Sequence, residues 1–298
     1  MSLLIFLMLR LLPGDVVDLM TAGNVDITDA TKQKLRDAFG LSDPLPVQYL
    51  KWIGNLLHGD PGTSLRSGQP IRDALAQALP VTLELTILAV LMATAVAIPL
   101  GVLSATRRDT AADVLSRIAG VVGLSVPSFW LATLMLLFTS LGFHWIPPVT
   151  FVPFFSNPVG NLQQMALPAA ALALQLMAIE MRMTRTTVLE VLGQDYVRTA
   201  RAKGASERLV TYRHALRNAL IPVVSVVGFQ VGTLMGGSVI IEVIFSLNGI
   251  GNTLVQAIFN RDYPLVQAAA LFLAVVFVVV NTSVDLLYGY LDPRIKQA

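Results

Sequence analysis

Long apolar stretches separated by polar connections make up most of this chain. Crossing the hydrocarbon core of a bilayer takes about twenty mostly apolar residues, and five stretches of that kind are present. They are Pro80 to Ala105, Ile118 to Leu141, Leu167 to Met183, Ile221 to Phe245 and Leu265 to Leu287. Because a helix satisfies its own backbone hydrogen bonds in lipid, this pattern predicts an all-α integral membrane protein.

The longest uncharged region contains two of these spans. No Asp, Glu, Lys or Arg occurs between Arg117 and Glu180. Within it, Gly142 to Gln164 carries four prolines, which would break a continuous helix. We therefore expect an external turn there.

The chain begins with a shorter apolar stretch. Ser2 to Leu12 has eleven residues, including Arg10, and is too short to cross a bilayer unaided. A clipped first span explains it, and an anchor lying on the membrane surface is the alternative. The predicted organisation is a partial first span over 1–13, an external segment over 14–79 and a transmembrane domain over 80–298. Short helices are predicted in the external segment over Thr31 to Phe39 and around a face with Tyr49, Trp52, Ile53, Leu56 and Leu57.

Lys and Arg in the short connections predict the orientation. Thirteen lie in three segments: Arg107, Arg108 and Arg117; Arg182, Arg185, Arg198, Arg201, Lys203, Arg208, Arg213 and Arg217; Arg294 and Lys296. Only Arg261 lies in the two short connections on the other side. Basic residues concentrate in cytoplasmic loops, so six spans with both termini in the cytoplasm are expected.

Composition and motifs exclude several classes of function. The chain is 54% hydrophobic and 13% charged, and its net charge of +2 is too small to indicate a nucleic-acid binder. No glycine is followed by lysine, so a phosphate-binding P-loop is absent, and cysteine is absent too. His58, His144 and His214 stand far apart without a catalytic or metal-binding pattern. We expect no catalytic residue, no metal site and no cofactor.

The most informative polar segment is a basic stretch of about 185–220. Two helical stretches, about Thr187 to Lys203 and Ser206 to Asn218, flank Gly204, whose missing Cβ permits the left-handed backbone that ends a helix. Ser206 and Glu207 are suited to cap the second stretch. A helix-turn-helix docked on anionic lipid is one interpretation of this segment.

The segment also resembles the cytoplasmic coupling loop of permease subunits of binding-protein-dependent ATP-binding-cassette (ABC) importers. That loop has Glu-Ala-Ala, three residues and then Gly; here Arg198-Thr199-Ala200 holds the triplet, Arg201-Ala202-Lys203 the spacer and Gly204 the glycine. The spacing is kept. The chain departs at Arg198-Thr199, and the family's Leu-Pro is replaced by Leu216-Arg217, with proline displaced to Pro222.

Other blocks resemble the dipeptide, oligopeptide and nickel branch of that family, in its order. They are LRLLPGD from Leu9, GDPGTSLRSGQPI from Gly59, VPSFWLA from Val126, DYVRTARAKG from Asp195, HALRNALIP from His214, EVIFSLNGIG from Glu242, RDYPLVQ from Arg261 and VDLLYGYLDPRI from Val284. The resemblance covers nearly the whole chain. In the block from Glu242, Asn248 stands where the family has proline.

The resemblance implies a six-span type I importer permease in the bacterial inner membrane, with a cytoplasmic coupling helix. It implies a non-catalytic subunit that moves short peptides inward by alternating access. The partners implied are a second homologous permease, two cytoplasmic ABC ATPases, an extracytoplasmic solute-binding protein and the lipid bilayer, with no nucleic acid. Nickel chelates and glutathione are alternative solutes in this branch. The ATPase contact implied covers Arg198, Thr199, Ala200, Arg201, Ala202, Lys203, Gly204 and Ala205.

Ionisable residues within spans are candidates for function, since a charge in lipid is costly. Glu84, Glu180, Glu242 and Asp285 are of this kind. We expect Glu180 to pair with Arg182, Arg185 or a partner subunit, and Glu242 to lie at the outer gate. The candidates for a gate or pathway are Glu180, Glu242, Ser128 and Gln230. Gly232 and Gly236, spaced as GxxxG, predict close helix packing.

Two other functions compete with this prediction. A self-sufficient six-span secondary transporter would need ion-coupled residues at a broken helix and no cytoplasmic helix-turn-helix. A membrane-embedded enzyme is disfavoured because metal and nucleophile patterns are missing. Transport without an ATPase would favour the first alternative.

Overall fold

A computed structural model of the chain describes residues 1–10, 16–21, 28–38 and 40–291. Throughout these residues the regular elements are helices, apart from one isolated bridge between Thr63 and Pro70. The predicted all-α fold is therefore confirmed. Expectations about 11–15, about Arg294 and Lys296 and about the side chain of Asp285 lie outside the described residues.

The helices in chain order are as follows. They are α1 (Ser2–Arg10), α2 (Val16–Thr21), α3 (Asp29–Ala38), α4 (Leu45–Leu57), α5 (Ile71–Thr106), α6 (Ala111–Ser125), α7 (Ser128–Phe143), α8 (Pro158–Leu192), α9 (Asp195–Ala202), α10 (Glu207–Leu209), a π-helical turn (Val210–Ala215), α11 (Leu216–Gly237), α12 (Val239–Ile244), α13 (Ile250–Phe259) and α14 (Tyr263–Leu291).

The five predicted spans each correspond to helices of the structure. Four helices of the described chain are long and apolar enough to cross a membrane: α5, α8, Glu207–Gly237 and Tyr263–Val284. The second predicted span is instead two helices, α6 and α7, which meet at an angle of 98°. Pro127, which lacks a backbone N–H, stands at this break as the N-cap residue of α7.

Other boundaries also differ from prediction. The helix of the first full span begins at Ile71 rather than near Pro80, and α8 runs from Pro158 to Leu192 rather than from Leu167 to Met183. The helix of the fourth predicted span ends at Gly237, and Ser238 separates it from α12. Hydropathy alone placed that end at Phe245 because the residues of α12 are as apolar as those of α11.

The chain forms two compact units, the first from residues 1–81 and 248–275. Its buried apolar cluster contains Ile71, Leu75, Ala78, Ile250, Ala268 and Ala269. The carboxylate of Asp262 accepts hydrogen bonds from the Ser64 hydroxyl and, at 3.2 Å, from the Leu65 backbone N–H. The predicted short helices of the external segment are confirmed as α3, for which residue 39 is not described, and α4.

The second unit comprises residues 82–247 and 276–298, and α8 packs closely against α5 and α6. A Cβ at Gly101 of α5 would lie 2.6 Å from Cβ of Thr184, and one at Gly123 of α6 would lie 3.1 Å from Cβ of Ala178. Since glycine removes the side chain at these points, the helix backbones can approach each other.

Close packing of α11 also depends on glycine, at one of the two predicted positions and at one position that was not predicted. A Cβ at Gly232 would lie 2.6 Å from Nδ2 of Asn281, and one at Gly228 would lie 2.2 Å from Cγ1 of Val284. Among the described residues, no atom lies within 4 Å of the Cβ position at Gly236. The close approach predicted at Gly232 is thus confirmed, the one at Gly236 is wrong, and Gly228 takes its place.

Candidate functional site

A short amphipathic helix, α9, follows directly after the end of α8. α8 ends at Leu192, a turn at Gly193 and Gln194 follows, and α9 begins at Asp195. The N–H groups of Gly193 and Gln194 bond to carbonyls three residues back, which tightens the last turn and ends the helix. The single helical stretch predicted over Thr187 to Lys203 is therefore wrong, because this turn divides it.

A Schellman motif ends α9. The Gly204 N–H donates to the Arg201 carbonyl at 2.9 Å, and the Ala205 N–H donates to the Ala200 carbonyl at 3.2 Å. Gly204 has a φ of +81°, and no atom lies within 4 Å of its Cβ position. The predicted left-handed glycine is confirmed, and backbone conformation rather than lack of space requires it.

One face of α9 is anchored to the residues that follow it. Val197 is fully buried. The Tyr196 hydroxyl donates to the His214 carbonyl at 3.3 Å and accepts from the Asn218 amide at 2.8 Å. These contacts fix the helix against the π-helical turn and the start of α11.

An ion pair closes the loop around Gly204. Arg201 Nε lies 2.8 Å from Glu207 Oε1, and Nη2 lies 3.2 Å from Oε2, which is a bidentate geometry. Arg201 is thus engaged within the chain. Of the two cations that flank Ala202, Lys203 has no ion pair among the described residues.

The outer face of this segment is accessible. Arg198, Thr199, Arg201, Ala202, Lys203 and Gly204 are exposed, and Ala200 and Ala205 are partly buried. The structure therefore brings all eight residues of the predicted contact together at the end of one short helix. They form a rigid, mostly exposed surface with small residues at its tip.

The second predicted helical stretch is longer than expected. The Ser206 hydroxyl accepts from the Leu209 N–H at 3.4 Å, so the predicted cap is confirmed. From Glu207 the helix continues through the π-helical turn into α11, as one segment of 31 residues. The segment after Gly204 is thereby joined without a break to a span.

Glu242, a candidate for the gate, is buried and hydrogen-bonded. Its Oε1 accepts from the Thr82 hydroxyl at 2.8 Å and from the Ser238 hydroxyl at 2.9 Å. Ser238 is the residue at which α11 gives way to α12. The Glu242 carboxylate therefore connects Thr82 on α5 to Ser238, at the break between α11 and α12.

The other gate candidates lie in different surroundings. Glu180 is fully buried, and the Thr94 hydroxyl of α5 is the side-chain hydrogen-bonding group beside its carboxylate among the described residues. The Gln230 amide is 3.5 Å from the carbonyl of Leu176, one turn before Glu180 on α8. Ser128 begins α7 at the 98° bend and is partly exposed. Glu180 on α8 and the amide of Gln230 on α11 thus lie at adjacent turns of α8. Ser128 and Glu242 lie at other places in the second unit.

Of the partners expected for Glu180, Arg185 is wrong because it binds Asp113, and no ion pair joins Glu180 to Arg182 among the described residues; pairing with a partner subunit stays a prediction. Arg185 Nε lies 2.8 Å from Asp113 Oδ1, and Nη2 lies 3.0 Å from Oδ2. No pattern along the sequence pointed to this pair. Asp113 resembles any acidic residue in the first turn of a helix, and Arg185 follows 72 residues later.

These observations define a class of protein, a helical membrane protein with a basic helix-turn-helix between two spans. The family model described as "Binding-protein-dependent transport system inner membrane component" matches residues 97–297. A putative peptide transport system permease protein of Brucella abortus (strain 2308) is 44% identical over 295 residues, which are 99% of this chain and 93% of the relative.

Other relatives and solved structures agree. The oligopeptide transport system permease protein AppB of Bacillus subtilis (strain 168) is 39% identical, and the dipeptide transport system permease protein DppB of Escherichia coli (strain K12) is 40% identical; each alignment covers 99% of this chain and 94% of the relative. A chain of the inward-facing MetNI methionine ABC transporter has a TM-score of 0.59 at 19% identity, covering 74% of this chain and 96% of that chain. An amino acid ABC transporter has a TM-score of 0.54 at 16% identity, covering 72% and 93%.

The chain therefore belongs to the family of inner membrane components of binding-protein-dependent transport systems. It is a multi-pass permease with the fold of ABC importer permeases. The family described from the sequence is confirmed.

Proposed function

We propose that this permease carries short peptides inward by alternating access, driven by ATPase subunits that bind the surface Arg198–Ala205. The complex contains a second permease, two cytoplasmic ATPases and an extracytoplasmic solute-binding protein, and this chain performs no ATP chemistry itself. Both of its termini lie in the cytoplasm, and residues 14–79 face outward. The peptide solute is inferred from the names of the relatives, which are peptide, oligopeptide and dipeptide permeases.

The observation that carries the proposal is the construction of α9 and its end. Val197, Tyr196 and the Arg201–Glu207 pair hold the helix on one side, and the opposite side is exposed. A chain without a phosphate site of its own must receive ATP energy through contact. A short helix held rigidly to two spans can pass a partner's closing motion on as a tilt of those spans.

The same proposal gives roles to the polar residues of the spans. The pathway candidates are Glu180 of α8, Gln230 of α11, whose amide approaches α8 one turn before Glu180, and Ser128 at the bend before α7. Glu242 contributes to the outer gate, where its bonds to Thr82 and Ser238 join α5 to the end of α11.

Substitutions at the tip of α9 test the coupling surface. Gly204→Glu and Ala200→Trp place bulk where the ATPase would sit. We expect each variant to insert into the membrane but to lose its ATPase or to hydrolyse ATP without uptake. The measurements are co-purification of the ATPase and uptake of radiolabelled di- and tripeptides by reconstituted vesicles.

Gly68→Glu is the matched control, because Gly68 also has a positive φ of +70° and no atom within 4 Å of its Cβ position. Both glycine changes therefore carry the same backbone strain, about 1–2 kcal/mol. Wild-type retention and uptake in both α9 variants would contradict the proposal. Uptake that persists without any ATPase would support a secondary transporter instead.

A further inference from the structure

A buried ion pair ties the beginning of α6 to α8. The side chain of Asp113, in the first turn of α6, is 0% exposed, and the side chain of Arg185 on α8 is 21% exposed. Two parallel N–H···O bonds of 2.8 and 3.0 Å join them. Bidentate geometry fixes both the distance and the relative orientation of the two groups, which a single contact between flexible side chains does not.

The same carboxylate collects bonds from α5 and from the turn between α5 and α6. The Ser104 hydroxyl of α5 donates to Oδ1 at 2.5 Å, and the Asp109 N–H donates to Oδ2 at 3.1 Å. Arg185 Nε also lies 3.1 Å from the Ser104 hydroxyl. Asp113 is therefore the common acceptor for groups from α5, the turn and α8.

Close backbone packing surrounds this pair. Gly101 of α5 lies against Thr184, and a Cβ at Gly120 of α6 would lie 3.0 Å from the methyl carbon of Met181. With backbones this close, sliding of α6 along α8 would create overlaps. The ion pair adds a polar contact that fixes the register of α6 on α8 at the end of the contact.

The pair also lies close to the coupling helix. Arg185 precedes the end of α8 at Leu192 by seven residues, which is about 10 Å along a helix, and α9 begins at Asp195. Between them, Val188 belongs to a buried apolar cluster with Val102, Ala105 and Ala219. The last two turns of α8 are thus packed to α5 and α11 up to the point where α9 starts.

From this arrangement we infer that Asp113 and Arg185 are positioning residues. They transmit the displacement of α9 through α8 to α6, and from α6 to α7 across the 98° bend between them. The inference rests on the proposed function, because it needs α9 to be moved by an ATPase. Without the pair, α8 moves with α9 while the beginning of α6 no longer follows it.

The test uses the complete reconstituted importer and measures peptide uptake per ATP hydrolysed. This ratio is independent of how much complex assembles, so a defect that only lowers the yield leaves it unchanged. Asp113→Asn and Arg185→Gln should each lower the ratio by about tenfold, with ATPase subunits retained. Arg185→Lys keeps the charge but loses the bidentate geometry, and it should restore part of the ratio.

Arg117→Gln is the matched control. Arg117 approaches the same Asp113 oxygen, but at 3.7 Å and with 53% of its side chain exposed, so its loss should leave the ratio at the wild-type value. A wild-type ratio in Asp113→Asn or in Arg185→Gln would overturn the inference. So would failure of both variants to assemble, which would assign the pair to folding.

The variant Gly204→Glu in the same assay separates the two proposals. If Gly204→Glu uncouples the importer and Asp113→Asn does not, only the positioning role fails. If Gly204→Glu leaves both ATPase retention and the ratio unchanged, the coupling surface itself is wrong, whatever the result at Asp113.

Discussion

Three carboxylates of the second unit, those of Asp113, Glu180 and Glu242, are buried but differ in their partners. Asp113 accepts bonds from Arg185, Ser104 and a backbone N–H. Glu242 accepts from two hydroxyl groups, and Glu180 has the Thr94 hydroxyl of α5 beside its carboxylate. Because burying a carboxyl group in a membrane-spanning helix is costly, Glu180 stays a candidate for a functional role.

The proposed role of Glu242 in the outer gate can be tested by a single substitution. Glu242→Gln keeps an oxygen that can accept from Thr82 and Ser238, so assembly should be preserved. The bonds become weaker without the charge, and we expect solute-stimulated ATPase activity to change by about fivefold or more. Glu190→Gln, an exposed position on α8, is the control. Transport and stimulation that both stay at wild-type values would remove Glu242 from the gate.

At the scale of elements, the helices combine apolar surfaces with glycine contacts at a few points. α5 and α6 meet α8 at Gly101, Gly120 and Gly123, and α11 meets α14 at Gly228 and Gly232. A hydropathy pattern locates such helices but carries no information about which faces touch. For this reason the spans were predicted well, whereas Gly236 was wrongly assigned to a contact.

The contact between α11 and α14 gives a prediction about stability. Gly228→Ala introduces a methyl group 2.2 Å from Cγ1 of Val284, and it should lower the free energy of unfolding by about 1–3 kcal/mol. Gly236→Ala, with no neighbour within 4 Å, should be neutral or stabilising by up to about 1 kcal/mol through helix propensity. Thermal unfolding of the two variants in detergent, compared with wild type, measures both effects. Equal stability of the two would contradict the packing at Gly228.

At the scale of the whole molecule, the distribution of charge predicts how the chain crosses the membrane. The segment around α9 carries Arg198, Arg201 and Lys203, whereas the connection from Gly142 to Gln164 carries no charged residue. The positive-inside rule therefore assigns these segments to opposite sides.

Cysteine labelling tests this topology directly, since the chain contains no cysteine. Ser206 and Ser156 are both exposed. Ser206→Cys should react only with reagents that reach the cytoplasm, and Ser156→Cys only with impermeant reagents added outside. Intact spheroplasts and inverted vesicles provide the two conditions. The reverse labelling pattern would contradict the predicted orientation.

The sequence by itself determined the helical class, the approximate spans, the left-handed Gly204 and the capping Ser206. Each of these follows from the composition of a short window: about twenty apolar residues make a span, a glycine takes a positive φ, and a serine hydroxyl caps a nearby N–H. The sequence motifs and their order were sufficient to identify the family.

Only the tertiary structure decided the 98° bend before Ser128, the turn at Gly193, the surroundings of Glu180 and Glu242, and the pairing of Asp113 with Arg185. The partners in the side-chain hydrogen bonds of Glu242 and Asp113 are separated by many residues, up to 160 between Thr82 and Glu242. Which of several buried polar groups meet depends on the rotation and register of packed helices. Those are set by side-chain volumes and glycine contacts across the whole unit, and no local window of sequence contains them.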